Sequence, residues 1–385
     1  MTPTLGAPSV VAAMCRDAPD WHSFFGHTCT DYSAFDWCRG GRLYNASAGG
    51  TELGAPEHAC CACGGRSGSS GPGGDVEGDS KVRQAVFFAT HEFDDTDVRL
   101  VRHYVAELTA TKGSHARLFV LLFRTEAAPP LSASELASWR ERGTRCGADV
   151  FLWSEAGLRR LFPKLSNALN TSHRPMRTPR KVSKYLFFHA SLLLWHATFG
   201  ARYPRVEHYW RIEPDVLFAG PLSQLLELAA GSRADVLVPH VETQLQTPTW
   251  PHWWRNEAVL RGVPSSQRLM SLVPIGRYSR RFLHGPMARR WESGQVGYEE
   301  ITLPTTCAMA NGSMVDGVIG SYAPDGAASC TVESMHVNAK IHSAKRVVYR
   351  PVWECAPLVA ARVQRTRELW HPIKNRTCLV AWLDQ

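Results

Sequence analysis

From about residue 83 to 240 the chain alternates short apolar runs with amphipathic stretches. QAVFFATHEF and ARLFVLLFRTE are apolar runs of strand length with polar flanks, as in strands covered on both faces of a parallel sheet. Between them, DTDVRLVRHYVAELTATKG has a helical apolar period and a glycine stop. ADVFLWSEAGLRRLF predicts a strand and then a helix. KYLFFHASLLLWHATFGARYP predicts a long helix, HYWRIEPDVLF a strand, GPLSQLLELAAGS a helix and ADVLVPHVE another strand. This order predicts a doubly wound α/β domain, its mostly parallel sheet covered by helices on both faces. There is no internal repeat.

The texture before residue 83 is different. Six of the eleven cysteines fall within the first 63 residues: Cys15, Cys29, Cys38, Cys60, Cys61 and Cys63. An even number in a short Gly-rich segment predicts three disulfides, with pairing open. A zinc site is the weaker reading, because CCAC lacks the paired C-x-x-C spacing of common zinc modules. The Gly/Ser-rich stretch that follows predicts a flexible linker. The organisation expected is therefore a cysteine-rich module at 1–66, a linker at 67–82 and one α/β domain at 83–385. Outside the module, Cys355 and Cys378 could tie down the tail and Cys307 and Cys330 could form a further bridge, leaving Cys146 unpaired.

With 385 residues and thirteen tryptophans the chain can build a substantial core. Its net charge of +8 and pI of about 9.0 favour an anionic partner: a pyrophosphate-bearing substrate, nucleic acid or an anionic membrane. Nucleic acid is disfavoured, since the aromatics are not interleaved with the basic runs as a stacking platform. No membrane anchor is visible in this chain, and MTPTLGAPSVVAAM lacks the basic n-region and apolar length of a signal peptide. The cysteines, with sequons at Asn45, Asn170, Asn311 and Asn375, nevertheless point to an oxidising compartment: the Golgi or ER lumen, or the cell exterior.

The strand HYWRI runs into Glu-Pro-Asp, two acids at the edge of a core, and bare carboxylates there are costly. Ligands of open α/β sheets bind beyond the carboxyl ends of the strands. Pro214 keeps Glu213 extended and cannot donate to a ladder. Residues two apart in an extended chain face the same way. Glu213 and Asp215 can thus converge on a hard cation, Mn²⁺ or Mg²⁺. The plainer alternative is a turn whose acids are solvated or paired with Arg211.

WRIEPDV at 210–216 resembles the metal motif of nucleotide-sugar glycosyltransferases of the GT-A fold, where Asp-x-Asp is usual. It is close in form to the Trp-Arg-Val-Glu-Pro-Asp-Val of fungal-type α-1,2-mannosyltransferases. The resemblance is confined to that motif and implies fold and reaction class, not mannose. It implies that Glu213 and Asp215 hold the metal and the diphosphate of the donor. Arg211 is a candidate on the same cofactor side. In LWHPIKNRTC, His371 and Lys374 resemble the late histidine and basic residue that complete the metal shell and grip the leaving diphosphate; His342 is a rival for His371. In GQVGYEEITLPTTCA, Glu299 and Glu300 resemble an acceptor-side carboxylate, with Glu299 preferred, although paired acids also suit a helix N-terminus. The stretch up to ACCACGG resembles cysteine-rich modules of extracellular algal proteins and carries no catalytic implication.

The function expected is metal-dependent transfer of a sugar from a nucleotide-sugar donor to a glycan or glycoprotein acceptor. A glycoside hydrolase, or a non-catalytic carbohydrate-binding or adhesion protein, is the alternative. Three stretches are ambiguous. The basic runs at 173–184 and 277–290 are either solvated faces or phosphate contacts. TPTWPHWW is either a sugar-stacking surface or a core anchor.

Overall fold

The computed structural model describes residues 29–30, 38–39, 42–43, 60, 81–111, 113–124, 132–165, 189–200, 203–250, 260–295, 297–310, 330–335, 338–341, 354–364 and 368–385. The chain divides into two compact units, Met1–Gly74 and Asp75–Gln385. Within the first, β1 (Cys38–Arg39) and β2 (Arg42–Leu43) pair antiparallel, and Cys29 is bonded to Cys60. Those two sulfurs are therefore in a disulfide and not on a metal. Cys15, Cys61 and Cys63 lie outside the described residues.

The second unit is built on a seven-stranded sheet. Its strands are β3 (Gln84–Thr90), β4 (Ala116–Arg124), β5 (Asp149–Ser154), β6 (His208–Ile212), β8 (Val236–Val238), β11 (Ile275–Ser279) and β12 (Val332–Ser334). Across the sheet they stand in the order β12-β8-β11-β6-β3-β4-β5. Only β11 runs against its neighbours, so the sheet is mostly parallel, as the alternation of strands and helices predicts.

Side-chain alternation sends the sheet's residues to two cores. Val86, Phe88, Val120, Trp210 and Ile212 pack on one face with α1 (Asp95–Ala110) and α5 (Leu222–Ala230). Phe87, Phe119 and Tyr209 face the other way, where their rings meet Trp195 of α4 (Ala190–Phe199) at centroid distances of 5.0, 4.8 and 6.4 Å. The helical run expected from residue 184 is described from Ala190 only.

Two helices begin with sequence-encoded caps. Asp94 accepts from the Asp97 amide at the start of α1, and Ser132 and Glu135 form a capping box before α2 (Ala133–Cys146), which ends on left-handed Gly147. A second, three-stranded sheet orders β13 (Asn338–Ile341), β14 (Glu368–His371) and β7 (Leu217–Phe218). β9 (Glu242–Thr243) pairs antiparallel with β10 (Leu269–Met270), and the short helix α3 (Glu155–Leu161) follows β5. The helices flanking β14, α7 (Ala356–Val363) and α8 (Arg376–Leu383), are joined by the Cys355–Cys378 disulfide. Cys307 is bonded to Cys330, and Cys146 is free and buried. No helix among the described residues is long and apolar enough to cross a membrane.

Within the basic run at 277–290, Arg280, Arg281 and Arg289 are exposed, whereas Arg277 and Arg290 are buried. Arg277 is buried within β11 and donates to the carbonyls of Ala229, Ser232 and Ala234, satisfying groups at and just beyond the end of α5. Arg280–Phe282, Leu283–Met287 and Ala288–Glu292 then form a helical run whose middle segment is π-helical. The run at 173–184 lies outside the described residues. In the tryptophan cluster Trp250 is buried with Leu260, Met270 and Ile301 as a core anchor; Trp253 and Trp254 lie outside the described residues.

Candidate metal centre

Strand β6 sits near the middle of the large sheet and stops at Ile212. The Glu213 amide donates to the Pro274 carbonyl at 2.8 Å, and the Val216 amide returns to the Glu213 carbonyl at 3.2 Å. Pro214 occupies the second position of that turn, where its fixed φ is favourable. The chain then enters β7, which pairs with β14 through Leu217↔Trp370 and Phe218↔Leu369. The Ile373 amide donates to the Asp215 carbonyl at 2.9 Å. These bonds bring β14 and the segment between it and the last helix against the Glu-Pro-Asp turn.

Side-chain ligand atoms of Glu213, Asp215 and His371 all lie within 4.8 Å of one another. Nε2 of His371 is 3.8 Å from Glu213 Oε2 and 3.8 Å from Asp215 Oδ1. The imidazole is buried, and burial holds its pKa below the usual histidine value despite the two acids. A neutral imidazole beside two carboxylates is a donor set suited to Mn²⁺ or Mg²⁺, with Mn²⁺ the better match to nitrogen. Lys374, half exposed, is ion-paired with the other oxygen of Asp215. Asp235, Cys307 and Cys330 also cluster, but both sulfurs are in a disulfide, which removes the thiolates a metal would need.

Behind the turn lies a buried ionic network. Arg211 donates to Glu213 Oε1 at 2.7 Å, to Glu299 Oε2 at 3.0 Å and to the Val273 carbonyl at 3.2 Å. Glu299 opens α6 (Glu299–Met309), and its Oε1 accepts from the His189 amide at 2.7 Å. Its Oε2 lies 2.8 Å from His189 Nδ1. Burial alone would raise the Glu299 carboxyl, but His189 and the Arg211 guanidinium outweigh it and hold its pKa below the usual range. Burial drives His189 down to about 4, so its ring is neutral at pH 7. Gly276 is the strand partner of Arg211, and a side chain there would collide with the Tyr278 hydroxyl. Glycine thus leaves room for the Tyr278 ring in the strand beside Arg211.

A cleft of about 290 Å³ opens beside the turn, at the carboxyl ends of β3 and β6. Thr90, Glu92, Asp97, Glu213, Asp215 and Arg376 are among its lining residues. Arg376 donates to Asp97 at 2.7 Å and to Asp94 at 3.0 Å. Burial pushes the Asp97 carboxyl up to about 6, against the pull of Arg376.

Of the candidate residues, the structure brings Glu213, Asp215, His371 and Lys374 together. It places Arg211 and Glu299 in the buried network behind them, away from solvent. Glu300 follows on the first turn of α6 with a half-buried side chain, and its carbonyl accepts from the Ser271 amide. His342 lies outside the described residues. His189 and the Asp97–Arg376 pair were not foreseen. A histidine inside FFHASLLL, with no polar neighbour in sequence, was the available signal for the first. Two aspartates in the opening turn of α1 hid the second, since helix starts favour acids regardless of function.

No protein-family model matches the chain, and no curated protein matches it. Among solved structures the chain is similar to mouse xyloside xylosyltransferase 1 in its apo form. That match has 12% identity and a TM-score of 0.34, over 60% of this chain and 81% of that one. It is also similar to a mycobacterial protein at 14% identity and a TM-score of 0.28, over 56% of this chain and 60% of that one. Likenesses this slight decide neither fold nor function.

Proposed function

We propose that the second unit transfers a sugar from a nucleotide-sugar donor to a glycan or glycoprotein acceptor, with a divalent metal as cofactor. The observation that carries this reading is the meeting of Glu213, Asp215 and His371 at the end of a central strand, with Lys374 beside them. Glu213, Asp215 and His371 would hold the cation, which when bound neutralises charge on the leaving diphosphate. Lys374, exposed at the mouth of the cleft, is placed to meet the same phosphates once it exchanges Asp215 for them. Arg211 acts from behind as a positioning residue, fixing Glu213 through a charge-assisted bond. Glu299 holds Arg211 in turn. On this reading Glu300 is the carboxylate for the acceptor side, because Glu299 is buried and doubly engaged.

The disulfides of the second unit support an oxidising compartment, the secretory lumen or the exterior. The test is a thermal-shift titration with UDP, GDP and CDP, each with and without Mn²⁺. A ligand at about 100 times its Kd stabilises by about 2.7 kcal/mol. We expect one nucleotide to raise the Tm only when Mn²⁺ is present, and Glu213→Ala with Asp215→Ala to abolish the rise. No response to any nucleotide would refute the transferase reading. Release of free sugar from a glycoside without nucleotide would favour a hydrolase.

A further inference from the structure

The opposite edge of the large sheet carries a second cavity, of about 610 Å³. It lies where β3 and β6 begin and β11 ends, at the other end of those strands from the Glu-Pro-Asp turn. Five arginines line it, Arg83, Arg205, Arg233, Arg280 and Arg281, against two acids, Glu207 and Asp235. The surplus is three positive charges in one concavity.

The two acids are already engaged. Glu207 is paired with Arg83 at 2.6 Å, and buried Asp235 is held by Arg281 and by Ser279. Arg280 donates to the Pro204 carbonyl at 2.8 Å, a neutral acceptor that leaves its charge uncompensated. The side chains of Arg205 and Arg233 form no ion pair or hydrogen bond among the described residues. Both are exposed at the cavity wall. His208, also lining it, is pushed down to about 4, by burial and then by Arg277, so it offers a neutral ring. Like charges gathered in a concavity repel, and focusing of their field draws in anions.

We propose that this cavity binds a small phosphate or sulfate monoester of sugar size. Guanidinium groups match the planar, bidentate geometry that tetrahedral oxyanions accept. The volume lies in the range of small-molecule sites and far exceeds that of a bare oxyanion. Pro204, exposed at the cavity, adds apolar wall for the uncharged part of the ligand.

The test is calorimetric titration at low ionic strength with glucose 6-phosphate, glucose 6-sulfate, inorganic phosphate and glucose. The chains compared are the wild type, Arg205→Ala with Arg233→Ala, and Glu213→Ala with Asp215→Ala. The arginine pair is exposed and unpartnered, so its removal leaves the fold intact; an unchanged Tm checks this. We expect either or both esters to bind the wild type, inorganic phosphate to bind more weakly and glucose not at all. Ester affinity should fall at least tenfold in the arginine double variant and stay the same in the Glu213/Asp215 variant. The nucleotide response should survive in the arginine variant, so failure here is separable from failure of the transferase reading. Ester binding that ignores the arginine substitutions, phosphate binding as tight as the esters, or no ester binding overturns the proposal.

Discussion

Glu213 and Glu299 share one guanidinium, that of Arg211, and their surroundings make them unequal. Glu213 opens onto the cleft, whereas Glu299 is buried and its partners are Arg211 and His189. Removing one partner of a buried pair leaves a charge uncompensated, which costs about 3–5 kcal/mol. Glu299→Gln should therefore lower the unfolding free energy by about 3 kcal/mol in urea. A loss below about 0.5 kcal/mol would mean that the network is not holding the fold. Arg211→Lys keeps the charge but loses the fork that spans both acids. Outer-shell partners of metal ligands are typically worth 10–100-fold in affinity. Mn²⁺ binding by that variant, followed by electron paramagnetic resonance, should weaken within that range. Unchanged affinity would detach Arg211 from the metal reading.

At the level of elements, the alternation of apolar runs and helical periods predicts β3, α1, β4, β5, β6, α5 and β8, because each carries its own pattern. Three features escape that reading for physical reasons. The α2 helix is mostly polar, and its only strong local signal, Ser132 with Glu135, is a capping box. β11 reads as a basic run because the sequence of Arg277 does not show that three backbone carbonyls receive it. β14 is four residues long and exists through its pairing with β7 and β13, which are distant in sequence. The metal centre inherits this division: Glu213 and Asp215 are legible as a strand ending in acids, but the approach of His371 depends on tertiary pairing. The Cys355–Cys378 bond closes that region across 23 residues. A loop of this size is stabilised by about 3 kcal/mol on the chain-entropy account. Replacing both cysteines by alanine should cost about that much in urea and should shrink the Mn²⁺-dependent nucleotide shift. Retention of full stability would show that the packing of α7 and α8 suffices.

Across the whole second unit, burial leaves several histidines neutral. His189, His208 and His284 are pushed down to about 4 and His196 to about 3, in each case by burial first. Their unfolded value is near 6.5. The folded chain thus binds fewer protons than the unfolded chain between these values, so this contribution to stability is complete above pH 6.5 and is lost as pH falls towards 4. Asp97 works in the opposite direction. Its folded value of about 6 exceeds the unfolded 3.8, so its protonation favours the fold more as pH falls through 6. One carboxyl opposes four imidazoles, and the imidazoles should prevail. His196 and His284 are the most informative pair, with ring centroids 4.1 Å apart and Tyr209 Oη within 2.6 Å of one and 3.4 Å of the other. The second ring to gain a proton does so against the charge of the first. The urea midpoint should be lower at pH 5 than at pH 7.5. In a His196→Gln, His284→Gln chain the difference between the two pH values should shrink, whatever the substitutions cost at pH 7.5. A wild-type midpoint that is flat or higher at pH 5 would show that Asp97 and other acids, and not these four histidines, set the pH response.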